Sequence, residues 1–298
     1  MNVRVKFSKY GFTKFLGHLD VVRYFQKAVR RSGLAVAYSI GFNPHPLLYF
    51  AAPLGLGQTS DGEYMDMELK KEYPPEEIKE RLNSAMSEGF YVQRVTKLAP
   101  WQPNQKKESI MALTACADYM IAVKDMEVSG KPYAEWFLGF HEKFEAFLQK
   151  AEIIAEKESK KSTKTVDIRP MVFAWGFAPE DISGKDDQKD GISHAQVYEN
   201  GLRVFLKLSN GSVDNLKPEL VMECFCKEYG LPYQESALQF HRMETYCDVR
   251  LRTAKKADGE PGGEDNRTTT KENQLQSEES NRKAKETDVK KFVPLWKL

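Results

Sequence analysis

The amino-acid sequence predicts an α+β chain of two tandem ferredoxin-like units followed by a disordered C-terminal tail. Three observations predict it. At roughly 150 residues per domain, 298 residues suit two units. Period-two and period-3.6 apolar patterns succeed one another in the order β-α-β-β-α-β over the first hundred residues, the split βαβ arrangement, and a similar order returns afterwards. From Leu251 to Lys291 there is no aromatic residue at all. With 41% hydrophobic and 29% charged residues, the chain as a whole has the composition of one that buries a core.

In the first unit, residues 1–98, Val3, Val5 and Phe7 alternate with Arg4 and Lys6, the mark of a strand with one buried face. Leu19, Val22, Phe25 or Gln26, and Val29 recur at helical spacing, and Gly33 stands where a helix end takes glycine. Leu34 to Tyr38 reads as a short strand, Ile40 to Pro46 as a rigid turn, and Leu48 to Ala52 as a returning strand. After a Gly55-Leu56-Gly57 loop, Met65, Met67 and Leu69 alternate with Tyr64, Asp66 and Glu68. Pro74 and Pro75 open a helix over Glu76 to Ser87, with carboxylates at its positive dipole end. Tyr91 to Leu98 closes the unit, and residues 99–108, with two prolines, read as a linker.

The second unit, residues 109–248, offers a strand at Tyr119 to Val123. A helix follows at Tyr133 to Lys150, with Trp136, Phe137, Phe140, Phe144, Phe147 and Leu148 on its apolar side. Thr165 to Phe173 and Leu202 to Leu208 read as strands, Glu219 to Tyr229 as a helix, and Leu238 to Cys247 as the closing strand. Asp181 to Gly191 is a polar loop. The tail, 249–298, has too little apolar surface to offset chain entropy over most of its length. Its closing Phe292-Val293-Pro294-Leu295-Trp296 has two readings: a partner-docking motif carried by Phe292, Leu295 and Trp296, or a piece that folds back.

The beginning of the chain alternates charged and apolar residues and lacks the apolar run of a secretory leader. The longest uncharged stretch, Ser32 to Ser60, is broken by prolines and glycines and reads as loops and short strands rather than a membrane span. Cys116, Cys224, Cys226 and Cys247 have no metal-ligand spacing, so reduced core thiols in a cytoplasmic protein are expected.

A formal net charge of +1 argues against a strongly basic protein, but the charge is unevenly placed. Residues 1–50 hold eight basic residues against Asp20 alone, a local +7, whereas residues 51–100 return −3. Arg23, Lys27 and Arg30, with Arg31 four beyond Lys27, form a stripe along the first helix. Such a stripe suits a polyanion backbone, or a solvated face. Beside it lies Tyr38-Ser39-Ile40-Gly41-Phe42-Asn43-Pro44-His45-Pro46. Its rings can stack on unpaired bases, and Asn43 and His45 can contact base edges or phosphates. His18 either binds an anion or pairs with Asp20 as a helix cap. Asp61, Glu63, Asp66 and Glu68 form a metal cluster or a solvated strand face, and the alternation favours the face. His141, His194 and His241 show no ligand spacing, so no metal site is expected.

Several of these motifs together resemble the radical-SAM-linked domain of unknown function. They are Lys9-Tyr10-Gly11, Phe15-Leu16-Gly17-His18-Leu19-Asp20, Arg30-Arg31-Ser32-Gly33-Leu34, Ala37 to Pro46, Pro53-Leu54-Gly55-Leu56-Gly57 and Ser60-Asp61-Gly62-Glu63-Tyr64. Met111-Ala112-Leu113 and Val166-Asp167-Ile168-Arg169-Pro170 add weaker likeness, and the resemblance covers about residues 1 to 210. Gly17 stands where the family prefers serine. In bacteria that domain is fused behind a B12-binding-type radical SAM protein or is a separate partner chain, so the resemblance implies a radical SAM protein as partner. The chain has no Cys-x3-Cys-x2-Cys and is expected to carry no cluster or other cofactor itself. The basic helix, aromatic loop and Gly-rich turn also look, by architecture alone, like repeat-processing CRISPR endoribonucleases.

Three functions follow. The first is an accessory protein that binds nucleic acid, RNA above all, through Lys14, Arg23, Lys27, Arg30, Arg31, Tyr38, Phe42, Asn43 and His45 and presents it to a radical SAM partner. The second is a metal-independent endoribonuclease with His18 and His45 as acid and base, and Lys14 or an arginine on the phosphorane. The third is a structural subunit docking through its terminal aromatic motif.

Overall fold

The structure, a computed structural model, describes residues 1–99, 109–159, 162–184, 193–212, 214–248 and 292–298. Most of the expected linker (100–108), part of the polar loop (185–192) and the tail before its last residues (249–291) lie outside the described residues.

The first half runs β1 (Asn2–Lys9), α1 (His18–Arg31), β2 (Leu48–Phe50), β3 (Thr59–Glu68), α2 (Pro75–Ala85) and β4 (Phe90–Lys97). Its strands lie in the order β4-β1-β3-β2, each pair antiparallel. Val3, Val5 and Phe7 of β1 and Met65 and Met67 of β3 pack against Val21, Phe25 and Val29 of α1 and Ile78 and Leu82 of α2. Each such side chain contributes about 1.5–3 kcal/mol when fully buried. The inward row of α1 is Val21, Phe25, Ala28 and Val29, and Leu19, expected inside, is 68% exposed. Both rows have helical spacing; sheet packing, which periodicity does not report, decides between them. Leu34 to Tyr38 is not a strand: it makes only isolated bridges from Val36 to Leu69 and from Tyr38 to Pro46. Pro46 has no N–H with which to continue a ladder.

The second half contains α3 (Ile110–Leu113), β5 (Thr114–Val123), β6 (Glu127–Val128), β7 (Lys131–Pro132), α4 (Phe140–Leu148), β8 (Ile154–Ser159), β9 (Ser162–Asp167), β10 (Val172–Gly176), β11 (Arg203–Ser209), α5 (Pro218–Glu228) and β12 (Leu238–Asp248). Four strands lie in the order β10-β11-β5-β12, again antiparallel. With α3 and the hairpins β6-β7 and β8-β9 set aside, element order and strand placement repeat those of the first half. The expected helix from Tyr133 to Lys150 is two pieces, a 3-10 turn at Tyr133–Phe137 and α4, parted by Gly139 at φ 69°. The expected strand from Thr165 to Phe173 is likewise broken, because Pro170 sits in a 3-10 turn between β9 and β10.

Both halves share one mixed sheet of nine strands. β3 serves two neighbours along the same edge: Met65 to Met67 pair with β2, while Thr59 and Ser60 run parallel to His241 and Arg242 of β12. The approach is close at Gly62, where a Cβ would lie 2.5 Å from the Glu244 Cα. The ninth strand is β13 (Phe292–Pro294), antiparallel to β12. Of the two readings of the terminal motif, the structure takes the fold-back. Phe292 and Leu295 are buried and Trp296 is half-buried against the body, so the three are not presented outward for docking.

Candidate functional site

The nine residues from Tyr38 to Pro46 form a closed loop on the surface of the first half. The Ser39 N–H donates to the His45 carbonyl at 2.9 Å, and the Ser39 Oγ both accepts from the His45 N–H at 3.1 Å and meets its Nδ1 at 2.9 Å. Gly41 turns the tip with φ 134°, a backbone that side-chain-bearing residues avoid. These bonds and the flanking prolines leave Ile40 and Phe42 fully exposed at the tip. Two large apolar side chains are thus held wholly in water by a braced loop.

Behind the tip, Tyr38, Asn43, Pro44, His45 and Pro46 line a cleft whose other wall is Gln26 and Arg30 of α1. The sequence-predicted residues Arg30, Tyr38, Asn43 and His45 thus meet in one place, with Phe42 beside them. The His45 ring is fixed through Nδ1, and the cleft is walled by a guanidinium, an imidazole, an amide and a phenol, groups that together suit phosphate and base edges. Arg23 and Lys27 are exposed on the same helix, Arg23 3.5 Å from Asp20.

Other predicted residues go elsewhere. Arg31 donates twice to the Ala85 carbonyl, at 3.2 and 2.7 Å, holding the C-terminal end of α2. Lys14 is half-buried, 5.1 Å from the Phe15 ring centroid. His18 opens α1 after Gly17, whose position carries no side-chain cap, and Asp20 pairs with Arg23 instead. His18 lies edge-on to Phe50 and lines a small cavity with Lys9 and Glu63, whereas His45 lines the cleft. The two imidazoles proposed as acid and base therefore belong to different cavities. Lys9, buried and donating to the Leu16 carbonyl at 2.8 Å, has its pKa lowered by burial, with Glu63 opposing and Arg242 adding to the shift.

A second cluster escaped the sequence reading. Asp61, Glu63 and Asp66 of β3 are not a solvated face: each is paired with a basic side chain, and among the described residues no group is arranged to hold a metal. Asp61 meets His194 Nδ1 at 2.7 Å and His241 Nε2 at 3.0 Å, and accepts from the His194 backbone N–H at 2.9 Å. Thr59 Oγ1 fixes the far nitrogen of His241 at 2.8 Å, and Tyr10 stacks on His194 at 3.8 Å. Burial pushes the Asp61 pKa up, but the hydrogen bond and charge of His241 and both bonds from His194 outweigh it and hold the group at about 2. Glu63 pairs with Arg242 at 3.0 Å, and Arg242 also reaches the Ala52 and Pro53 carbonyls. Glu244 takes Lys6 Nζ and Tyr64 Oη at 2.6 Å each, while Asp66 pairs with Arg4 at 2.7 Å. Three of these acids, Asp61, Glu63 and Glu244, thus bond across the halves. The signal in the sequence was the polar run of Gln239, His241, Arg242, Glu244 and Thr245 within the strand read as the closing one of the second unit. The partners stand up to 238 residues apart.

Among the described residues no group of His, Cys, Asp or Glu is arranged to hold a metal ion, and no helix is long and apolar enough to cross a membrane. The family model described as "Uncharacterized protein conserved in bacteria (DUF2344)" matches residues 2–218. The chain belongs to that family. No curated protein matches it.

Proposed function

We propose that this member of a conserved bacterial family is an RNA-binding accessory protein that holds its ligand on the 38–46 loop and α1 and presents it to a radical SAM partner. The observation that carries the RNA reading is the loop itself: Phe42 stands fully in solvent at the tip, in front of a cleft lined by Arg30, Tyr38, Asn43 and His45. An exposed ring offers a stacking face to an unpaired base, worth about 1–3 kcal/mol per base. The exposed Arg23 and Lys27 supply backbone charge. The radical SAM partner rests on the motif resemblance from Phe15 to Pro46. We read the two halves, with their matching strand orders, as ferredoxin-like units, and the chain as cytoplasmic.

Arg31 is left out of the test because it holds α2. RNA binding is measured at several salt concentrations for the wild type and for the Arg23→Glu, Lys27→Glu, Arg30→Glu variant. Binding that weakens with salt and is lost in the variant supports the reading; equal binding by both ends it. Partnership is read by co-elution of the chain with a radical SAM protein of the same bacterium, and separate elution removes that part alone. His18 and His45 line separate cavities, so no geometry favours the endoribonuclease reading.

A further inference from the structure

Residues 292–298 sit on the body as a bound peptide sits on a receptor. Residues 249–291 separate them from Asp248, so their position is not dictated by their neighbours in sequence. Their backbone extends β12: Pro294 lies opposite Tyr246, Val293 opposite Cys247 and Phe292 opposite Asp248. This is strand addition, in which main-chain bonds hold the peptide and side-chain pockets select it. Phe292 packs with Cys116 and Tyr246 and lies 5.0 Å from the Phe173 ring. Leu295, fully buried, fills a pocket of Ala51, Tyr64, Ile110, Leu113 and Cys247. Two arginines of the first half complete the seat. Arg4 donates to the Leu295 carbonyl at 2.8 Å, and the Arg94 guanidinium lies 4.0 Å above the Trp296 ring. The groove is therefore built from both halves and reads backbone, an apolar anchor and an indole together.

Three ladder positions and three buried residues, Phe292, Pro294 and Leu295, are set against the ordering of seven residues, which places the segment among the parts of a protein that open locally. A second copy of the chain carries the same segment, and exchange of an identical element between copies needs no new contact. We infer that this groove is a recognition site for an extended aromatic-x-Pro-Leu-Trp peptide, filled in cis by residues 292–298 and exchangeable with the same segment of a second copy.

The test uses the full chain. Val293 lies opposite the native Cys247, within disulfide range for an antiparallel pair. The Val293→Cys variant is oxidised mildly at rising protein concentration and the bonds are located by peptide mapping. A 247–293 disulfide within monomers at low concentration, giving way to 247–293-linked dimers as concentration rises, is expected. Monomer alone at every concentration overturns the exchange, and absence of the 247–293 bond overturns the groove. As an independent arm, a fluorescent peptide of residues 291–298 is titrated into wild type and into the Leu295→Asp chain, whose own segment is weakened. At least tenfold tighter binding to the variant is expected; equal binding, or none to either, contradicts the proposal. Trp296→Ala, which removes a half-buried ring, replaces Leu295→Asp if the latter does not fold.

Discussion

Asp61 shows at the scale of one residue how this protein uses buried charge. Its pKa, about 2 against an ordinary 3.8, makes it a stabilising group whose contribution is complete above pH ~4 and is lost as pH falls through about 2. A depression of this size corresponds to about 2 kcal/mol. Asp61→Asn is expected to lower stability by that order at pH 7, in urea unfolding, and to flatten the acid limb between pH ~4 and ~2. An unchanged acid limb contradicts the role assigned to the two histidines. Phe42 is the opposite case, a large side chain that contributes to no core. Phe42→Ala is expected to leave the melting temperature unchanged and to weaken RNA binding by about 1–3 kcal/mol. Phe42, Asn43 and His45 were legible in the sequence because a short loop places its own residues. The Asp61 cluster was not, because its partners come from elements 133 and 180 residues away.

Elements were legible where one pattern decided them and misread where a second force entered. The strands β1, β4 and β12 and the helices α2 and α5 lie within a few residues of their expected bounds, since a two-fold or helical pattern, with a proline at each helix start, fixes the type of element. The single buried face expected of β1 does not follow, because Arg4 and Lys6 are buried as well, in ion pairs with Asp66 and Glu244. In α1 two apolar rows compete and the sheet selects the one through Val21, so Leu19 is left outside. At Gly139 a positive φ ends one helical piece and starts another, which aromatic spacing does not register. Gly62 belongs to the same class. Its Cβ-free backbone lets β3 approach β12, and Gly62→Ala, meeting the Glu244 backbone at 2.5 Å, is expected to cost about 1–3 kcal/mol in urea unfolding. A neutral substitution there contradicts the close contact between the halves.

Taken whole, the molecule is two repeats of one strand order joined by an ionic seam. Two backbone positions pair β3 with β12, and Asp61, Glu63 and Glu244 add bonds from each half to the other. Removing one partner of a buried pair leaves the other charge unsatisfied. Arg242→Ala is therefore expected to cost about 3–5 kcal/mol, more than Arg242→Ala costs in a chain already carrying Glu63→Gln. The net charge of +1 conceals this seam as well as the basic first fifty residues. The acids that balance the sum are partly buried, while Arg23, Lys27 and Arg30 remain in water. The most direct measurement of the central claim is the slope of log affinity against log salt for single-stranded RNA. Wild type is expected to give a steep negative slope, and the Arg23→Glu, Lys27→Glu, Arg30→Glu chain, folded to the same melting temperature, none at measurable affinity. Equal affinity and slope in both would contradict the account.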